Sequence, residues 1–344
     1  MSPKMVKADV VIVGGGPAGS AAAIQCARSG LQVSMVEQAA FPRHRPGETL
    51  HPGIEPLLDQ LGVAQPVLSA GFLRHRGHWV QWSGDRRFVP FGEDATGPWM
   101  GFQAWRSEFD QRLLQQARVL GVKVWQPCRA IRPIVESNQV AGVFTSAGPL
   151  YANFVIDAAG SRHWLARQLG LSIDSRSPRL VAHYGYAEGS CSERDQAPAI
   201  VADTHGWTWT ARVQPRLYQW TRLLLTPTKL APDFLPPEFH ALIPQPKRHK
   251  ANVTWRMANN LAGPGYFLIG DAATVLDPAS SHGVLKALMS GIMAGHLIAQ
   301  RLRHNRSRHS VTQGYCQWVC DWFNHDVNKL KVLYHDLPNP PIWV

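Results

Sequence analysis

Gly14, Gly16 and Gly19 are spaced as G-x-G-x-x-G between an apolar, mostly β-branched run, Ala8 to Val13, and the helix-forming stretch Ser20 to Arg28. That order predicts strand, tight turn and helix. The first glycine permits the turn, the second lets the backbone approach a pyrophosphate, and the third lets helix and strand pack closely. Pro17 and Ala18 lie in the turn before the helix, whose unpaired N–H groups then face the anion. After Gly30 a second strand, Leu31 to Val36, ends in Glu37. A carboxylate there accepts hydrogen bonds from both ribose hydroxyls and repels a 2′-phosphate. These residues predict a dinucleotide site.

A second constellation lies late in the chain. Gly265 to Ala273 is an apolar strand that ends in Gly270-Asp271, after which Pro278 and Gly283 introduce a helix from Val284 to Gln300. The run GDAATVLDPASSHGVLKALMSG resembles the second flavin motif of FAD-dependent monooxygenases, geranylgeranyl reductases and flavin-dependent halogenases. By that resemblance Gly270 and Asp271 bind the ribityl and pyrophosphate region, Pro278 lies beside the isoalloxazine ring, and the amides from His282 through Gly283 to Val284 face its pyrimidine edge. Charge agrees, because a helix N-terminus favours the negative charge of a reduced flavin. Three further segments are similar to the same superfamily. Phe41 to Leu50, with Arg43, Gly47 and Glu48, resembles the halogenase-like FPRxxxGES loop that runs along the flavin. Arg106 to Asp110, followed by Leu113 and Leu114, resembles the RxxFDxxLL helix whose arginine contacts cofactor. Val155 to Ser161, with Ala159 and Gly160, resembles the strand and turn that carry the DG-type motif. The cofactor implied is FAD.

A bound flavin passes hydride, reduces a double bond or activates oxygen, while the protein supplies orientation and excludes water. The halogenases of the superfamily use a lysine in the strand after the GES loop and a glutamate in a PLESTG-like string. Here no lysine lies between Lys7 and Lys123, the strand carries Arg74, His75, Arg76 and His78, and Ser280 stands at the glutamate position. Halogenation is therefore disfavoured, and histidines and arginines on that strand suit a geranylgeranyl tunnel poorly. Hydroxylation of an electron-rich aromatic ring fits, with indoles to stack on the ring and a histidine of suitable pKa to accept a proton. His75, His78, His205 and His282 are the candidates, and Glu48 either orients the flavin or moves protons. Within the superfamily the compact chain and the DPASSHGVLKALMSG string most resemble the flavoprotein maturases of tryptophylquinone-dependent amine or amino-acid oxidases. That resemblance implies hydroxylation of a tryptophan side chain in a precursor oxidase polypeptide, with molecular oxygen as co-substrate and NAD(P)H or a separate flavin reductase as electron source. The alternatives are a small-molecule aromatic hydroxylase or halogenase-like biosynthetic enzyme, and a flavin-binding maturation chaperone that oxidises nothing.

These residues need a large scaffold, and 344 residues with 45% hydrophobic and 17% charged side chains supply one while excluding a disordered tail or fibrous repeat. The fold expected is α/β: a Rossmann-like FAD-binding domain of the glutathione-reductase type, an inserted mixed or antiparallel β-sheet substrate domain, and C-terminal helices. Because the flavin motifs come early, midway and late, the cofactor domain is expected to be discontinuous, at 1–74, 103–177 and 255–300. The substrate domain takes 75–102 and 178–254, and 301–344 forms the helical end. Trp207 and Trp209 alternate along a strand and so share one face, expected to roof the substrate pocket. Tyr315, Trp318, Val319, Trp322, Phe323, Val327 and Leu330 recur at helical spacing, either packed on their own domain or presented to a partner. Thirty-five Lys+Arg against 24 Asp+Glu give a net charge of +11, which attracts acidic ligands or an acidic precursor. The basic clusters Lys247 to Lys250 and Arg301 to Arg308 lack a base-reading pattern and read as solvated surface, so nucleic acid is not expected. Five scattered cysteines without a CxxC pair point to reduced thiols in the cytoplasm and to no metal site. No apolar run is long enough to span a membrane.

Overall fold

The computed structural model describes residues 6–226, 228–304 and 306–344. Strand β1 (Val6–Val13) is flanked by β2 (Val33–Val36), whose outer neighbour is β3 (Lys123–Trp125), and on its other side by β4 (Gly148–Asp157), which pairs with β5 (Tyr266–Leu268). All four pairings are parallel. Parallel strands are covered on both faces, which is why Val10 to Val13 of β1 are all apolar and all four residues of β2 are buried. Helix α1 (Pro17–Arg28) returns from β1 to β2 and packs on α2 (Arg106–Val119) and α3 (Gly283–Arg303). Contact with α3 is close because a Cβ on Gly291 would meet the Ala18 carbonyl at 2.3 Å. A hairpin, Ala130–Glu136 with Gln139–Thr145, extends the sheet from the first half of β4.

The second large sheet is mixed. Its order runs Ile243–Pro244, Val181–Glu188, Leu217–Leu224, Gly206–Gln214, Ala199–Asp203, Gly77–Gln81 and Arg87–Pro90, with His249–Asn252 on the other part of the Val181–Glu188 edge. The Ala199–Asp203 and Gly77–Gln81 pair is parallel and the rest antiparallel. A three-stranded sheet of Glu48–Leu50, Gly101–Ala104 and Arg74–His75 joins the two halves. The strand Arg74–His75 therefore runs across the boundary expected after residue 74.

Helix α4 (Arg308–His335) closes the molecule on its own chain. Val311, Tyr315, Val319, Phe323, Val327, Leu330 and Tyr334 are buried in the main core, whereas Trp322 stays exposed. Trp207 corrects an expectation. Its indole is wholly buried and donates to the Tyr334 hydroxyl at 2.9 Å, so it belongs to the core under α4 and not to a pocket roof. Among the described residues all five cysteines are free thiols, and no helix is long and apolar enough to cross a membrane.

Candidate active site

The glycine turn after β1 is dictated by close approach. Gly14 has φ +107°, and a Cβ there would lie 2.3 Å from the Ala158 carbonyl oxygen; one on Gly19 would lie 1.9 Å from the Gly14 oxygen. Strand, turn and helix can meet only without those side chains. Helix α1 begins at Gly16 with Pro17 in its first turn, no side-chain cap and no acidic residue. Its N–H groups are thus available to an anion. Ala18 is pressed against the Gly270 turn, and Gly270 in turn donates its N–H to Ser290 Oγ at 3.0 Å.

Glu37 is buried at the end of β2. Its two carboxylate oxygens accept from Gly15 N–H at 2.7 Å and Ala39 N–H at 2.8 Å, so it fixes the glycine turn as well as presenting an acceptor at the expected ribose position. Arg43 crosses the turn. Its Nη2 lies 3.2 Å from the position a Cβ on Gly16 would take and 3.1 Å from Asp110 Oδ2. The side chain is 10% exposed, yet Nε and Nη1 have no hydrogen-bond partner among the described residues. Burial works against its charge and pulls its pKa down. Two orphaned donors on a buried cation beside an uncapped helix N-terminus suit a pyrophosphate. The residues present fit FAD.

Arg106 opens α2 and is bidentate to Asp110, Nε to Oδ1 at 2.8 Å and Nη2 to Oδ2 at 3.1 Å, with Nη1 donating to Glu48 Oε1 at 3.1 Å. Asp110 is fully buried and holds two arginines, which is why the RxxFD spacing places its carboxylate one helical turn after the guanidinium. Glu48 is half-buried and Asp271 is exposed, each with protein packed around its base. The resulting desolvation pushes both carboxyls up, against the pull of Arg106. Gly47 is also tied to the other sheet. Its N–H donates to Gln219 Oε1 at 2.7 Å and a Cβ would strike Val213 at 2.6 Å, so it docks the cofactor loop onto the mixed sheet.

At the end of β4, Asp157 accepts from Ala159 N–H at 2.9 Å and Leu165 N–H at 2.7 Å, shaping the turn through Gly160, and burial raises its carboxyl to about 6. Two residues that sequence reasoning missed lock this turn to the Gly270-Asp271 turn. His163 Nδ1 donates to the Ala272 carbonyl at 2.9 Å, and Arg256 Nε donates to His163 Nε2 at 2.9 Å while Nη2 reaches the Ser161 carbonyl at 2.9 Å. Pro278 is exposed and stands in a short turn capped by Asp277, and α3 starts at Gly283 and Val284 with no side-chain cap.

A histidine group gathers around Phe91. Ring centroids of His51, His75 and His78 lie 5.1, 5.5 and 5.7 Å from that of Phe91, and His282 lies 6.3 Å from His51. Desolvation lowers all four pKa values, to about 4 for His75 and His282. They are neutral imidazoles at pH 7. His75 is fixed at both nitrogens, with Gly77 O at 2.8 Å and Gln103 Nε2 at 3.0 Å. His51 Nδ1 accepts from Gly53 N–H at 3.1 Å. His205 is not part of the group. It lies exposed in the turn between Ala199–Asp203 and Gly206–Gln214. His51 was missed, although it directly follows the Glu48–Leu50 strand. Lys286, one turn along α3 from His282, is paired with the buried Asp326 of α4, and burial lowers it to about 8.

Parallel sheet, glycine turn, arginine–carboxylate knot and open helix termini converge on one cleft, as in a flavin-dependent oxidoreductase. The tryptophan halogenase family model matches residues 9–106 and 85–315, and the chain belongs to that family. Tryptophan 2-halogenase of Chondromyces crocatus is 28% identical over 337 residues, 89% of this chain and 64% of the relative, so the chain spans less than two thirds of that protein's length. The structure of the myxobacterial chondrochloren halogenase CndH, an FAD-dependent halogenase, has the same fold, with TM-score 0.88 and 24% identity over 96% of this chain and 83% of that one. So does the peptidyl tryptophan dihydroxylase QhpG, essential for tryptophylquinone cofactor biogenesis, with TM-score 0.75 and 22% identity over 98% of this chain and 78% of that one.

Proposed function

We propose that the protein is an FAD-dependent monooxygenase that hydroxylates a tryptophan side chain of a precursor protein during tryptophylquinone cofactor biogenesis. The observation that carries this reading is the pocket of neutral imidazoles around Phe91, at the place where the family's halogenases are expected to hold a lysine. Bound and reduced, FAD supplies the activation of molecular oxygen, and a separate reductase or NAD(P)H supplies the electrons. Arg43 and the amides after Gly16 bind the pyrophosphate, Glu37 the ribose, and Arg106 orients Glu48 along the cofactor. Gly283 and Val284 present the α3 N-terminus to the ring. Phe91 offers an apolar face for an indole. His78 and His282, half-buried and uncharged, accept the proton that a ring under attack gives up, and Glu48 orients the cofactor. Lys286 is held by Asp326 and turned toward α4, which supports oxygen transfer over halogen relay. The net charge of +11 suits an acidic precursor.

A second reading, oxidation or halogenation of a small aromatic molecule, is favoured by the family match itself. Mass spectrometry of a coexpressed precursor oxidase separates the readings. Added oxygen on a tryptophan supports the proposal. An unmodified precursor, together with turnover of free indoles or phenols in the presence of reduced flavin and halide, supports the second. An unmodified precursor that stays bound, with no turnover, leaves a maturation chaperone.

A further inference from the structure

Behind the Asp277–Pro278 edge of the cleft lies an aromatic cluster that hydroxylation does not require. Tyr334 of α4 is fully buried, its ring centroid 5.6 Å from Trp255, 6.0 Å from Trp82 and 6.2 Å from Trp343, with the Trp82 ring stacked on it at an interplanar angle of 10°. Trp255 and Trp343 are 5.0 Å apart. Its hydroxyl accepts from Trp207 Nε1 at 2.9 Å and is hydrogen-bonded to Asp277. The Asp277 carboxylate, fully buried, also accepts from Trp255 Nε1 and from Ala279 N–H at 2.9 Å. It forms no ion pair among the described residues, so its partners are an indole, a phenol and an amide. A core that needed only volume would place phenylalanine and an apolar residue here, because a buried carboxylate without a cation is costly. What the pair provides is a phenol with a proton acceptor already in place, inside a chain of easily oxidised rings that reaches the partly exposed Trp343.

We propose that Tyr334 is a redox-active tyrosine at the centre of a relay, Trp255 to Tyr334 to Trp343, that carries oxidising equivalents away from the cleft to the surface. One electron leaves Tyr334 for a one-electron oxidant such as a reactive oxygen species, passing through Trp255. The phenolic O–H bond breaks as its proton moves along the existing hydrogen bond to Asp277, where an O–H bond forms, and the oxidant is reduced by one electron. Trp343 returns an electron to the phenoxyl, Asp277 returns the proton, and an external reductant such as ascorbate or a thiol restores Trp343. Burial raises Asp277 to about 6, so the carboxylate is a ready base at pH 8 and is already protonated at pH 5.

The test is flash–quench oxidation of the full-length protein with a photoexcited ruthenium(II) trisbipyridine and a cobalt(III) acceptor, read by freeze-quench electron paramagnetic resonance. The sensitiser supplies the oxidant, so the outcome does not depend on FAD or on the aromatic substrate. At pH 8 the wild type should give a tyrosyl signal that is mostly lost in Tyr334→Phe and that declines as pH falls through about 6. Asp277→Asn should lower the yield and remove that pH dependence, and Trp343→Phe should slow quenching by ascorbate. A tyrosyl signal unchanged in Tyr334→Phe, or an Asp277→Asn variant with the wild-type yield and pH profile, would overturn the relay.

Discussion

Replacing Arg43 by alanine should weaken FAD binding, and it also removes the buried ion pair with Asp110. Its Nε and Nη1 are buried donors with no partner among the described residues, and Asp110, though it loses Arg43 Nη2, keeps both bonds from Arg106. A charge-assisted hydrogen bond contributes about 1.5–3 kcal/mol net, so losing one contact to the pyrophosphate raises the dissociation constant by roughly 10- to 150-fold. Fluorescence titration of apoprotein with FAD measures this directly. Thermal denaturation gives an independent check. At FAD about 100 times the wild-type Kd, binding stabilises by about 2.7 kcal/mol, and a tenfold weaker complex by only about 1.4 kcal/mol. Lysine at the same position keeps the charge but not the fork, and should fall between the two. An Arg43→Ala protein that binds FAD as tightly as wild type would refute the assignment of this side chain to the pyrophosphate.

Three further outcomes follow from the geometry. Glu37→Arg should weaken FAD binding by about tenfold or more, since it removes the ribose acceptor and frees the Gly15 N–H, as read by the same titration. Gly19→Ala puts a methyl 1.9 Å from the Gly14 oxygen and should cost about 3 kcal/mol or more, measured by urea denaturation. His75 is depressed from 6.5 to about 4, so the unfolded chain takes up its proton first and the native state loses on the order of 3 kcal/mol as pH falls from 6.5 toward 4. Buried Asp157 and Asp277, raised to about 6, act in the opposite sense over the same range, so the test is the difference between wild type and His75→Gln, which should shrink as pH drops.

Much of the cofactor cleft is legible because its parts are local. Gly14, Gly16 and Gly19 are read from spacing, and Arg106 with Asp110 from one helical turn, since backbone geometry alone sets those relations. The pairing of Glu37 with the glycine turn is also short-range, across two adjacent strands. What joins distant segments was not legible. Arg256 and His163, 93 residues apart, brace the flavin turns through a bond that no periodicity announces. The contacts of Gly47 with Val213 and Gln219 on the other sheet are equally long-range. Trp207 shares a strand face with Trp209 as alternation requires, but which side that face meets was decided by α4, which supplies Tyr334. Likewise His205 fails as a site residue because a turn carries it to the surface, whereas His51 joins the group through Phe91, a residue with no chemistry of its own.

The most direct measurement is an absorbance titration of the purified protein with FAD. The cleft described here should bind one FAD per chain saturably, with a shifted, structured flavin band in the blue that Arg43→Ala and Glu37→Arg displace to higher FAD concentrations. A protein that shows no saturable change in the flavin spectrum under these conditions would contradict the central claim.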